Sequence, residues 1–118
     1  MAVTAPTKQP DTSRVVEVWS GGGATDDDEV ILEIDARGFT EFTLGSVTGS
    51  VDVFASLDGT NFLTTAVGLI NPTDGAPDAA TTAQGVFQLR GSFHRLRFVQ
   101  NGATAVTGFS VVARRAIT

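Results

Sequence analysis

Val51-Asp52-Val53-Phe54-Ala55-Ser56-Leu57-Asp58-Gly59-Thr60-Asn61-Phe62 alternates apolar and polar residues, meets Asp58-Gly59, and leaves toward an aromatic residue. A period of two is the mark of a strand with one face buried. Asp-Gly accepts positive φ at low steric cost, and the hydroxyls of Ser56 and Thr60 can bond the turn's own backbone. The stretch therefore predicts a strand, a tight turn and a returning strand over 62–69. It points to a β-sandwich rather than to an enzyme.

The same rhythm extends in both directions. Toward the N-terminus, Val30, Leu32 and Ile34 alternate with Ile31, Glu33 and Asp35, and Ala36-Arg37-Gly38 predicts a hairpin into a strand over 39–44. Val15, Val16, Val18 and Trp19 predict a first strand that the run Gly21-Gly22-Gly23 ends. Toward the C-terminus, strands are expected over 86–90, 93–100 and 105–115, with Gly91-Ser92 and Asn101-Gly102 between them. Asn-Gly between apolar runs predicts a hairpin. The expected fold class is all-β: an eight-stranded antiparallel β-sandwich, jelly-roll-like, with an extended N-terminal arm. The phenylalanines at 39, 42, 54, 62, 87, 93, 98 and 109 fall on nearly every strand, as a core shared between two sheets requires.

Two segments break the rhythm. Residues 1–12 carry Pro6 and Pro10 and no periodic apolar face, and are expected to form an arm ahead of a single domain over 13–118. Residues 71–84 hold the turn-forming pairs Asn71-Pro72, Asp74-Gly75 and Ala76-Pro77, and a loop of that length in a compact domain is expected to be functional, contact-making or disordered. The sequence thus nominates Val3, Pro6, Lys8 and Pro10 in the arm, Trp19, and Pro72, Asp74 and Pro77 in the loop as partner-contact residues.

With 118 residues, 42% hydrophobic content and a formal charge of −5, one independently folding domain is expected. The chain has no apolar run near the ~20 residues of a membrane helix, and residues 1–8 lack the hydrophobic stretch of a secretory signal, so a soluble chain without an export address or membrane association is expected. Cysteine is absent, which removes disulfides, thiolate catalysis and Cys-ligated zinc. The acidic balance and the single Lys8 disfavour a nucleic-acid partner, which needs several cations on one surface. Arg95 and Arg97 share a strand parity and are expected to pair with acidic residues on one sheet face.

Catalytic chemistry finds few candidates. His94 is the only histidine, sits between Phe93 and Arg95, and reads as structural; Tyr and Cys are absent, and no serine lies in a nucleophile elbow. Catalytic residues, cofactors and a metal requirement are therefore not expected. Asp26-Asp27-Asp28-Glu29, after a Gly-rich run, has oxygen chemistry suited to Ca²⁺ but lacks the alternating spacing of a calcium loop, so a solvated loop competes with a weak calcium site. Trp19 could stack on a sugar, or belong to the core or an interface.

The run Val-x-Val-x-x-Ser-x-Asp-Gly-Thr-Asn-Phe over Val51 to Phe62 resembles the strand-turn-strand of discoidin-like and galactose-binding-like jelly rolls, and a segment that recurs in small tailed-phage virion proteins. Phe93-His94-Arg95-Leu96-Arg97-Phe98-Val99 resembles a later strand of those folds. Secreted binding modules are longer and many carry a cysteine pair. The resemblance therefore implies a phage capsid decoration (cement) protein. On that resemblance the chain would bind the major capsid protein at subunit junctions on the outside of the head, assemble as a homotrimer and reside in the virion. Other virion roles (tail, adaptor or head completion) and a carbohydrate-binding module with Trp19, Asn61 and Arg95 around a cleft are the alternatives.

Overall fold

The computed structural model describes residues 16–72, 75–78, 80–81 and 85–115. Among them are nine strands: β1 (Val16–Ala24), β2 (Val30–Asp35), β3 (Glu41–Ser46), β4 (Ser50–Ser56), β5 (Leu69–Ile70), β6 (Pro77–Asp78), β7 (Gly85–Arg90), β8 (Arg95–Asn101) and β9 (Val106–Arg114). They form two antiparallel sheets, a wide one ordered β1-β9-β3-β7-β5-β6 and a narrow one ordered β2-β8-β4. The all-β sandwich read from the alternation is the observed architecture, with nine strands in place of eight.

The core lies between the sheets. From the wide sheet come Phe42, Leu44, Phe87, Leu89, Phe109, Val111 and Ala113, and from the narrow one Ile34, Val51, Val53, Ala55, Leu96 and Phe98, all buried. Phe98 and Phe109 meet across the interface with ring centroids 5.1 Å apart, which ties the two sheets into one core. Phe39 is buried as well, whereas Phe54, Phe62 and Phe93 are only half-buried, so the phenylalanines do not all serve the core.

The expected hairpins are the main correction. β2 belongs to the narrow sheet and β3 to the wide one, and β8 and β9 are divided in the same way, so Ala36-Arg37-Gly38 and Asn101-Gly102 are corners between sheets. Each corner is fixed from inside. The Ala36 amide donates to the His94 carbonyl at 2.8 Å, and Phe39 drops into the core beyond it. At the other corner the fully buried Gln100 donates from Nε2 to the Gly102 carbonyl at 2.9 Å and accepts from the Val106 amide at 3.4 Å. A polar residue at an inward position satisfied by the following loop binds the end of β8 to the start of β9.

The returning strand after β4 is also shorter than expected. Phe62 makes one antiparallel bridge to Ser56, and only Leu69–Ile70 is extended further on. Residues 63–67 run irregularly along the free edge of β4, with the Leu63 amide bonded to the Ala55 carbonyl at 2.9 Å and the Val67 amide to Val53 at 2.7 Å. Thr81 completes the edge: its amide donates to the Val51 carbonyl at 3.0 Å and its buried Oγ1 accepts from the Val51 amide at 2.8 Å. Pieces of loop thus replace a strand and satisfy an edge that would otherwise be open.

Two smaller differences are local. β1 does not stop at the glycine run but continues to Ala24, with register shifts between Ser20 and Gly23 that Gly residues tolerate. In β2 a shift between Val30 and Leu32 breaks the alternation, leaving Val30 exposed while Ile31 and Leu32 both pack against the core.

Candidate functional site

The outer face of the narrow sheet is where residues with chemistry gather. Because β8 lies between β2 and β4 and side chains alternate, Arg95 and Arg97 project outward while Leu96 and Phe98 fill the core. Register places Glu33 opposite Arg97 and Asp35 opposite Arg95 on one side, and Phe54 opposite Arg97 on the other. Glu33 accepts from Arg97 Nε at 2.7 Å and from Arg95 Nη2 at 3.4 Å, the acidic pairing that the shared parity of the two arginines predicts. The Arg97 hydrogen bond holds the Glu33 carboxyl below its ordinary pKa. Arg97 also lies with its guanidinium 3.9 Å from the centroid of the Phe62 ring.

Beside this cluster a shallow groove of about 340 Å³ runs over Phe54, Phe62, Leu63, Val30 and Val99, with Arg97 in its wall. Val30 and Leu63 are 47% and 53% exposed, so the groove is apolar and open to solvent. Asp28 closes one end of it.

The turn after β4 leads into Phe62 and Leu63 of the groove. Gly59 sits at φ +86°, and a Cβ there would come within 2.6 Å of the His94 ring, so glycine is required for the conformation and for the close packing. Asp58 Oδ1 accepts from the amides of Thr60 and Asn61, each at 2.8 Å, and Asp58 Oδ2 accepts from Asn61 Nδ2 at 2.9 Å. These donors, the Asn61 amide foremost, keep the Asp58 carboxyl far below its ordinary pKa. His94 packs beneath the turn while its amide donates to the Ser56 carbonyl at 2.9 Å. A structural role accounts for its position.

The acidic run does not converge on one point. Glu29 turns back to accept from the Thr25 and Asp26 amides at 2.9 and 3.1 Å, and the Thr25 amide is the largest cause of its lowered pKa. Asp27 accepts from the Gly102 amide at 2.8 Å, and Asp28 adopts φ 66° with its amide bonded to the Gln100 carbonyl. Among the described residues no three His, Cys, Asp or Glu side chains are grouped to hold a metal ion.

Of the expected contact residues, Val3, Pro6, Lys8, Pro10 and Asp74 lie outside the described residues. Pro72 and Pro77 are exposed, the latter in β6 at the edge of the wide sheet. Trp19 is half-buried on β1, edge-on to Phe39 at 5.8 Å and packed against the core. It is thus on the other sheet from Asn61 and Arg95, and the three do not line one cleft. Sequence reading missed Val30, Phe54, Phe62 and Leu63. Phe54 had a signal, since it takes the polar parity of the Val51 to Ser56 alternation; Phe62 and Leu63 had none, because the strand expected there does not form.

The sandwich is similar in fold to a prophage protein. The crystal structure of SPBc2 prophage-derived protein YomS aligns with a TM-score of 0.61 at 16% sequence identity, covering 93% of this chain and 98% of that one. A likeness at this identity speaks to the fold alone. No family model matches the sequence, and neither does any curated protein.

Proposed function

We propose that the protein is a structural component of a phage virion, and that its role is to decorate the outside of the head at junctions between major capsid subunits, as trimers. The observation that carries this reading is the near end-to-end likeness in fold to a prophage-derived protein. The alternation of consecutive strands between the sheets supports reading the sandwich as a jelly roll, an architecture shared with viral capsid domains. The outward apolar groove supports a protein that works by contact. In this role the chain binds the mature shell and not its precursor, and stabilises the state it binds by mass action. Its place would be the capsid surface.

The carbohydrate-binding alternative required Trp19, Asn61 and Arg95 around one cleft, an arrangement that the geometry does not favour. The test of the decoration reading is co-sedimentation of the purified chain with phage shells that lack it, with light scattering of the chain alone. Saturable pelleting at a fixed ratio to shell subunits supports it. A chain that stays in the supernatant with every shell offered overturns it.

A further inference from the structure

We propose that the groove on the narrow sheet is the socket for residues 3–10 of a second copy of this chain, so that copies join head to tail. The inference deepens the reading of the protein as an assembling virion component, and it rests on four observations that are independent of shell binding.

The groove is mostly apolar, with Phe54 and Phe62 among its lining residues, and open, so it lacks a covering partner among the described residues. The two ends of the sandwich differ in charge. At one end, where β1, β3 and β8 begin and β2, β7 and β9 finish, Arg37, Arg90, Arg95, Arg114 and Arg115 stand among Asp35, Glu41 and Asp58, so acids and cations are nearly balanced there. At the other stand Asp26, Asp27, Asp28, Glu29 and Asp52, and no Lys or Arg falls in residues 24–32, 46–53 or 98–107. The groove reaches the acidic end through Asp28 and Val30.

Residues 1–15 match this socket in chemistry and leave from the opposite end. They carry Val3, Pro6 and Pro10 as apolar groups, and Lys8 and Arg14 against Asp11, so they are cationic in an otherwise acidic chain. Proline-containing extended segments dock in aromatic-lined grooves with little ordering cost, and Lys8 would meet Asp28 and its neighbours. Val16 pairs with Arg114, so the chain enters β1 at the arginine-bearing end, away from the acidic one and in the other sheet from the groove. An extended segment of this length spans up to roughly 50 Å. A donor end and an acceptor end on opposite sides of one molecule make a heterologous contact, which closes into a ring when the rotation between copies allows.

The test uses the full chain, which has no cysteine of its own. Pro6→Cys is placed in one preparation and Leu63→Cys in a second that carries a mass tag; the two are mixed and oxidised. Val86→Cys, equally exposed on the wide sheet, replaces Leu63→Cys in the control. A disulfide between the two preparations, well above the control, is expected, together with loss of the oligomer to monomer mass in Leu63→Asp with an unchanged far-UV spectrum. In a chain carrying both cysteines, a bond formed only within one molecule overturns the second-copy assignment. No bond above control overturns the arm as occupant; if Leu63→Asp then abolishes pelleting with shells, the shell is the occupant, and if it abolishes capture on a glycan array, a sugar is. Cross-linked rings that fail to pellet with shells sink the decoration reading while this one stands, and pelleting without cross-links does the reverse.

Discussion

The wide and narrow sheets share one core but meet solvent with different chemistry. Outward positions of the wide sheet are taken by Val18, Thr43, Gly45, Val86, Ser110 and Val112, and their ion pairs are confined to one end, where Glu41 lies 3.3 Å from Arg90 and 3.9 Å from Arg114. The narrow sheet has only three strands, yet its outer face concentrates Glu33, Arg95, Arg97, Phe54 and Phe62 in direct contact or adjacent register. In the wide sheet β9 and β3 have partners on both sides over most of their length, while β7 meets β5 only at Ile70 and Gln88. In the narrow sheet β8 alone is central, and the free edge of β4 depends on Val67, Leu63 and Thr81. Lateral support is thus spread widely in one sheet and held by a few residues in the other.

If one core unites them, damage at its centre must reach both sheets. Phe98→Ala, in the middle of β8 and against Phe109, is expected to cost about 3–5 kcal/mol. Urea unfolding followed by Trp19 fluorescence, which reports on the wide sheet, and by far-UV circular dichroism should give coincident transitions. Separate transitions would break the idea of a single cooperative unit. The edge closure is a sharper test of the narrow sheet. Thr81→Val keeps the shape but removes the oxygen that accepts from the Val51 amide, and leaving that buried donor unpaired is expected to cost roughly 1–3 kcal/mol. A loss no larger than that of an exposed substitution such as Val86→Thr would show that the edge is not held in this way.

The same contrast explains what the sequence could and could not reveal. Strands β3, β4, β7, β8 and β9 were legible because each buries one face, and burial writes a period of two into the residues, while β2 was legible as a strand although its register shift breaks that period. The turns were legible as turns but not as to destination. Asn101-Gly102 carries the local signal of a hairpin, while its actual course is decided by Gln100 satisfying Gly102 and Val106 in the interior, an interaction between inward-facing groups that no local pattern encodes. The closure of β4 by residues 63–67 and Thr81 was hidden for a similar reason, since irregular backbone has no period. At the candidate site, the pairing of Arg95 and Arg97 with an acid was readable from parity, though not that Glu33 would serve both. The groove was obscured by the assumption that each phenylalanine is core, which Phe54 and Phe62 contradict.

Charge gives a smaller effect, and it too separates the sheets. Glu33→Gln removes the acceptor shared by Arg95 and Arg97, while Glu41→Gln loosens two longer, more exposed pairs. Glu33 is about 30% exposed, so solvent screening limits the loss to roughly 1 kcal/mol, against about 0.5 kcal/mol or less for Glu41. Raising the salt from low to near-molar concentration should shrink both costs. Equal costs would mean that clustering on the narrow sheet adds nothing to its stability.

Acidification probes carboxylates of this kind without mutation. Glu29, Glu33, Asp35 and Asp58 all have folded pKa values held below ordinary ones, chiefly by the Thr25 amide, by Arg97, by Arg37 and by the Asn61 amide in turn. Such a group binds fewer protons folded than unfolded, so its stabilisation is complete at neutral pH and is lost as pH falls below the ordinary carboxylate range near ~4 and through the folded values. The expected outcome is therefore a urea midpoint that falls between pH 5 and pH 3. The fall should be smaller in Glu33→Gln, which has already lost one of the four depressed groups. A midpoint that holds or rises between pH 5 and pH 3, or that falls as far in Glu33→Gln, would show that these hydrogen-bonded carboxylates do not set the acid response.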